Sequence, residues 1–227
     1  MKRQSARDEI ISRVRNALVD VPPGEHDSEI NRNYRTKASQ SSRTSWRELF
    51  TTRVREYRAK VTVTDEEDLP TVIDSLCRRE GVKRIVIAPG FPESWYPPAR
   101  PERSVVPDLE QPLSHHDLDQ CDAVLTSSAL AVASTGTIIL DGGAGQGRRA
   151  LSLIPDFHIC IVKEEQITGD IPAAFDRLKP PAAADPRPIT FISGPSATSD
   201  IELTRVEGVH GPRNLHVLLV TGSEQGD

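Results

Sequence analysis

"ASTGTIILDGGAGQGRRALSLIPDFHICIV" spans Ala133–Val162, and the reading of this stretch decides the fold. An apolar run, Thr137–Leu140, leads into a glycine-dense segment, and a second run, His158–Val162, follows it. Five of the chain's 14 glycines lie in the first fifteen residues of the stretch, and Arg148 and Arg149 come directly after them. Short apolar runs bounded by glycine and polar residues predict buried strands. The order is strand, glycine loop, arginines, strand. Three roles are open for the loop: a phosphate cradle, a small-anion site, or a flexible turn.

The same pattern continues outward. "RIVIAPG" (84–90), "DAVLTSS" (122–128), "PITFISGPS" (188–196) and "LHVLLV" (215–220) predict further buried strands, and Val61-Thr62-Val63 a short one. Helical spacing is expected over 46–60 and 65–79, where Leu69, Val72, Ile73 and Leu76 share a face and Gly81 supplies the stop. Weaker helices are expected over 113–120, 170–178 and 199–207. The proline-rich stretch 91–108 is expected to build no regular element. Strands alternating with helices predict an α/β fold with an open, mostly parallel sheet covered on both faces. Ligands in such sheets bind beyond the carboxyl ends of the strands. The glycine loop, the turn Thr135-Gly136-Thr137, the segment Ser193–Ser196 and the turn at His210 are therefore expected to converge on one pocket.

Residues 7–19 predict an amphipathic helix with Ile10, Ile11, Val14, Ala17 and Leu18 on one face, ended by Pro22-Pro23-Gly24. A polar stretch follows, read as a tether or an arm onto a partner. The expected division is 1–45, helix and polar linker or arm, and 46–227, the α/β domain.

Composition narrows the function. The 227 residues suffice for a sizeable core without disulfides, and the net charge of −5 argues against a general nucleic-acid binder. The three cysteines, Cys77, Cys121 and Cys160, are dispersed, without zinc or cluster spacing. No metal and no cofactor is expected. With no apolar signal core and no long apolar run, a cytoplasmic protein without a membrane span is expected.

The glycine loop departs from both nucleotide motifs. Gly142 and Gly147 have P-loop separation, but Arg148 stands where lysine is required and Arg149 where a hydroxyl would hold magnesium. Gly143-Ala144-Gly145 begins a dinucleotide fingerprint that Arg148 interrupts. The remaining chemistry is that of a small anion, held by amides near Gly145 and Gly147 and by the Arg148 fork; the alternative is a mobile loop with solvated arginines. Thr135, Gly136 and Thr137 read as an oxyanion-type turn or as a loop entering a strand. Ser193, Gly194 and Ser196 are further binding candidates. Ser199 and Glu202 have capping-box spacing, with Glu202 also a candidate acid. His210 is a candidate proton donor or a turn residue, and His158 a hydrogen-bonded core group. A metal role for His115-His116 is disfavoured by their spacing.

Taken together, "CDAVLTSSALAVASTGTIIL", "GQGRRALSLIPDFHICIV", "FISGPSATSDIE" and "GVHGPRNLHVLLV" resemble, in order and spacing, the LUD-domain family and its lactate-utilisation branch, over roughly residues 45–220. The resemblance implies a three-layer α/β/α fold related to sugar-phosphate isomerases and CoA transferases. It implies a non-redox subunit of a system oxidising L-lactate to pyruvate, working with two iron–sulfur partner proteins. The matching positions are Thr135–Thr137, Gly147, Arg148, Pro155, Asp156, His158, Ser193–Ser196, Asp200, Glu202, His210 and Gly211. Members of the family often carry an acidic residue before the TGT turn, where this chain has Ser134. Two other readings stay open: an independent enzyme on a sugar phosphate or acyl-CoA, and a purely structural assembly subunit.

Overall fold

The structure, a computed structural model, describes residues 6–20, 43–108, 111–178, 187–198, 206–208 and 210–222. The chain divides into two compact units, Met1–Arg35 and Thr36–Asp227. In the first, helix α1 (Ala6–Ala17) buries none of its residues, and Ile10 and Val14 are more than half exposed. The expected stop at Pro22-Pro23-Gly24 lies outside the described residues.

The second unit is built on a six-stranded, wholly parallel sheet. Its strands are β1 (Lys60–Asp65), β2 (Arg84–Ile87), β3 (Ser104–Pro107), β4 (Ala123–Thr126), β7 (Phe157–Lys163) and β12 (Asn214–Thr221), in the order β1-β12-β7-β4-β2-β3. A second sheet, β8-β5-β6-β9, joins β5 (Leu130–Val132), β6 (Thr137–Leu140), β8 (Ile167–Thr168) and β9 (Thr190–Ile192). β10 (Ala197–Thr198) and β11 (Val206–Glu207) form a separate antiparallel ladder.

Strand alternation sends successive side chains of β7 to opposite faces. Ile159 and Ile161 pack with Leu69, Ile73 and Leu76 of α3 (Leu69–Arg79). Cys160 and Val162 pack with Phe50 and Val54 of α2 (Arg43–Glu56) and with Ala131 and Ile138 of the small sheet. Leu118 of α4 (His115–Asp119) and Leu151 cover Val86 and Val124. The outer side of the small sheet is closed by α5 (Ile171–Arg177) through Ala174. The fold is thus three-layered α/β/α with a mostly parallel sheet.

Four expectations are corrected. Thr137–Leu140 and "ITFIS" belong to the antiparallel part of the small sheet and not to the parallel one. β9 is not buried: Phe191 is exposed and stacks at 5.9 Å on exposed Phe175. The proline-rich stretch 91–108 does build an element, β3, at the edge of the sheet, where its one partner strand leaves a proline tolerable. The stretch is pinned from below. Asp74, buried on α3, accepts from Nε and Nη2 of Arg100, each at 2.6 Å, and from Arg103. Of the expected helix 199–207, the described end, Val206–Glu207, is strand; the remainder, including Ser199, Asp200 and Glu202, lies outside the described residues.

Candidate functional site

The chain changes direction around β2. After β2 it passes over the α3 face, where Phe91 and Trp95 are buried, and after β4 it passes to the opposite face, where Ala131 is buried. Adjacent parallel strands whose exits diverge leave a crevice at their carboxyl ends, the usual ligand position in an open α/β sheet. The glycine loop sits at this crevice. Gly145 donates its N–H to the Pro89 carbonyl and accepts from the Ser127 amide, both at 2.7 Å, so one residue joins the exits of β2 and β4. Its φ is +76°, and a Cβ there would stand 2.5 Å from Ser127 Oγ. Only glycine fits this approach.

Inside the loop, Asp141 accepts from Gly143 N–H at 2.9 Å, while Gln146 Oε1 accepts from Asp141 N–H at 2.6 Å. A cavity of about 520 Å³ opens over the loop. It is lined by Pro89 and Gly90, by Gly142–Ala144 and Gly147–Arg149 of the loop, and by Arg187 and Pro188. Arg148 lines it, but its fork is engaged elsewhere: Nε and Nη2 donate to the buried Asp108 carboxylate at 2.9 and 3.2 Å, and Nη2 donates to the Leu113 carbonyl. Arg149 is exposed and has no ion pair among the described residues. Arg187 crosses to the Gly142 carbonyl at 3.1 Å.

The other candidates lie in two different places. Thr135-Gly136-Thr137 closes the β5–β6 hairpin, at the far end of β6 from the glycine loop, about 13 Å along a four-residue strand. Thr137 Oγ1 lies 2.7 Å from Thr135 Oγ1 and 2.8 Å from Ser193 Oγ, so the three hydroxyls satisfy one another. Gly136, at φ +62°, packs against the backbone of α2, and Gly194 against Tyr57.

Ser196 and His210 meet at the opposite edge of the parallel sheet. Ser196 Oγ accepts from the His210 amide at 3.0 Å, and Gly211 is its neighbour. His210 is exposed in a polar cleft of about 470 Å³ with Asp122, Asp156 and Arg213, which precede β4, β7 and β12. The expected single pocket therefore does not form. The glycine loop marks the carboxyl edge, His210 and Ser196 the amino edge, and Ser193 and the TGT turn the hairpin beside α2.

His158 is a core group: it is buried and lies 2.8 Å from Thr126 Oγ1, and burial pushes its pKa down to about 4. His216, buried on the other face, lies 2.8 Å from Thr62 Oγ1; burial first, then Arg79 and Lys60, hold it at about 4. Burial pushes the Cys160 thiol up to about 12. All three cysteines are free and buried. Among the described residues, no three of His, Cys, Asp and Glu are grouped to hold a metal, and no helix is long and apolar enough to cross a membrane.

The sequence missed Asp108, Arg187 and Pro188. Asp108 is 40 residues from Arg148, and Arg187-Pro188 lies in a stretch without a motif. The "APG" exit of β2 was the signal for the cavity's other wall.

Comparison with known proteins agrees with this architecture. The LUD domain family model matches residues 47–220. The chain belongs to the LUD-domain family. Lactate utilization protein C of Deinococcus radiodurans is 47% identical over 171 residues, which cover 75% of this chain and 77% of that protein. Lactate utilization protein C of Bacillus subtilis is 34% identical over 106 residues, 45% of this chain and 44% of that protein. The crystal structure of a DUF162 family protein from Deinococcus radiodurans superposes with a TM-score of 0.65 at 40% identity, covering 80% of this chain and 99% of that one.

Proposed function

We propose that this chain is a subunit of a lactate-utilisation system and that its glycine-loop cavity holds a small carboxylate, lactate or pyruvate. The observation that carries the site is the position of the loop, at the carboxyl-edge crevice between β2 and β4, with Arg149 exposed at the rim. The name borne by the Deinococcus and Bacillus relatives supports the substrate class. Arg149 supplies the charge-assisted contact, Arg187 flanks it, and Arg148 shapes the loop through Asp108. The apolar walls at Pro89, Ala144 and Pro188 suit the methyl end of such a ligand.

Oxidation of lactate to pyruvate releases two electrons and two protons. The cysteines are dispersed and buried and do not form a cluster-ligand set. In this reading the electrons leave through iron–sulfur partner proteins in the cytoplasm, and the chain binds and orients the carboxylate without a redox centre of its own. Isothermal titration with lactate, pyruvate and magnesium–ATP tests the site. One charge-assisted contact contributes about 1.5–3 kcal/mol, so Arg149→Ala weakens the carboxylate about ten- to a hundredfold. Tight magnesium-dependent ATP binding, or carboxylate affinity untouched by Arg149→Ala, overturns the reading. Failure to co-purify with iron–sulfur proteins overturns the subunit role separately.

A further inference from the structure

Asp74 gathers more positive charge than its carboxylate can neutralise. Besides Arg100 and Arg103 it pairs with Arg78 at 3.1 Å. Anchoring of the 91–108 connection accounts for Arg100 and for one nitrogen of Arg103. The rest of Arg103, whose side chain is 2% exposed, lies against the Cys77 thiol, and its Nε is buried without an acceptor among the described residues. Buried guanidinium N–H groups are ordinarily paired.

A cavity of about 230 Å³ opens beside this group, lined by Cys77, Arg78, Lys83, Arg100, Glu102 and Arg103. Arg78, Lys83, Arg100 and Arg103 line the cavity with Glu102, and the three arginines also pair with Asp74 beneath it; these four cations and two carboxylates leave a surplus of two positive charges. The C-terminal end of α3 offsets only about half a charge. Lys83 and Arg103 immediately precede β2 and β3, so the cavity lies at the amino edge of the sheet, away from the glycine loop.

We infer that this cavity binds a phosphate-type oxyanion, either free or as the terminal group of a small phosphomonoester. A tetrahedral dianion matches the surplus of two charges and accepts from the cationic side chains that line the cavity. A monocarboxylate leaves one of the charges unmatched. Arg103, fixed by Asp74, is the pre-oriented donor, while Arg78 and Lys83 are exposed and close over the ligand from the rim.

Titration calorimetry at low ionic strength, with inorganic phosphate and with glycerol 3-phosphate as probes, tests the inference on the full chain. Arg78→Gln with Lys83→Gln is the deciding variant, since both side chains are exposed and Asp74 keeps Arg100 and Arg103 when Arg78 is lost. Saturable binding, weakened tenfold or more in this double variant and unchanged in Arg149→Gln, is the expected result. A monoester that binds tighter than phosphate identifies an organic phosphate as the ligand; the reverse order identifies the free ion. No saturation into the tens of millimolar with either probe overturns the inference. So does binding that is lost in Arg149→Gln and kept in the double variant, which places the anion at the glycine loop.

Discussion

Arg148 and Asp108 form a two-point fork, 2.9 Å from Nε and 3.2 Å from Nη2, between the glycine loop and the exit of the edge strand β3. Asp108 is buried and also accepts from the Leu113 amide at 2.8 Å. The arginine that most resembled an anion ligand in the sequence is thus already bound to an internal carboxylate. Arg148→Ala leaves Asp108 buried and unpaired, which costs about 3 kcal/mol. Arg148→Lys restores part of that, since an ammonium makes no fork. Arg149→Ala, on the surface, changes stability by no more than about 0.5 kcal/mol. Urea denaturation of the three variants separates these roles; equal stability of Arg148→Ala and wild type contradicts the structural assignment.

Gly136 closes its hairpin at φ +62°, and a Cβ there stands 2.8 Å from the backbone of Arg53 and Val54. Gly136→Ala combines a left-handed strain with a contact that α2 cannot relieve by a rotamer change, a loss of about 2–3 kcal/mol. Thr137→Val removes the middle hydroxyl of the Thr135–Thr137–Ser193 chain and costs about 1 kcal/mol. Neither substitution alters carboxylate affinity by more than twofold if the turn is a packing device. A Thr137→Val protein that is fully stable but loses carboxylate binding points instead to a ligand at the turn.

Much of the central sheet was legible because its strands are buried on both faces and so read as unbroken apolar runs. "RIVI", "AVLT" and "LHVLLV" are of this kind. The same property hid which sheet Thr137–Leu140 joins: all four residues are buried, and a run without alternation carries no record of its neighbours. "SVVP" was hidden by its proline, admissible only because β3 is an edge. The site was less legible. Local sequence marked the glycine loop, but the choice between Arg148 and Arg149 depends on Asp108, which no motif links to the loop. Convergence of the loops on one pocket requires all of them to leave the carboxyl ends of the strands. The segments at Ser196 and His210 lead into β12 and so gather at its amino end.

His210 and the glycine loop therefore act independently. His210→Gln leaves lactate affinity within about twofold, and its effect adds to that of Arg149→Ala within roughly 0.5 kcal/mol, as expected for sites without shared partners. A double-variant cycle by calorimetry measures this. Coupling of more than about 1 kcal/mol shows that the two edges communicate.

Among the described residues two buried histidines, His158 and His216, make the stability of the domain depend on pH. In the unfolded chain each takes up a proton at about pH 6.5. Folded, each stays neutral down to about pH 4, His158 through burial and His216 through burial with Arg79 and Lys60 nearby. Between these values the unfolded state binds more protons, so stability falls as the pH falls. The contribution is complete above about pH 7 and is lost progressively toward pH 4, on the order of 3 kcal/mol for each histidine. Asp74, held well below the usual carboxylate range chiefly by Arg100, adds a loss only below about pH 4 and so lies outside this window. Urea midpoints are expected to drop steadily from pH 7 to pH 5 with an unchanged m-value. His158→Gln, which retains a partner for Thr126, lowers stability at pH 7 but flattens the slope by about one proton. Midpoints constant over that range, or an imidazole resonance of either histidine titrating near pH 6.5 in the folded protein, rule this account out.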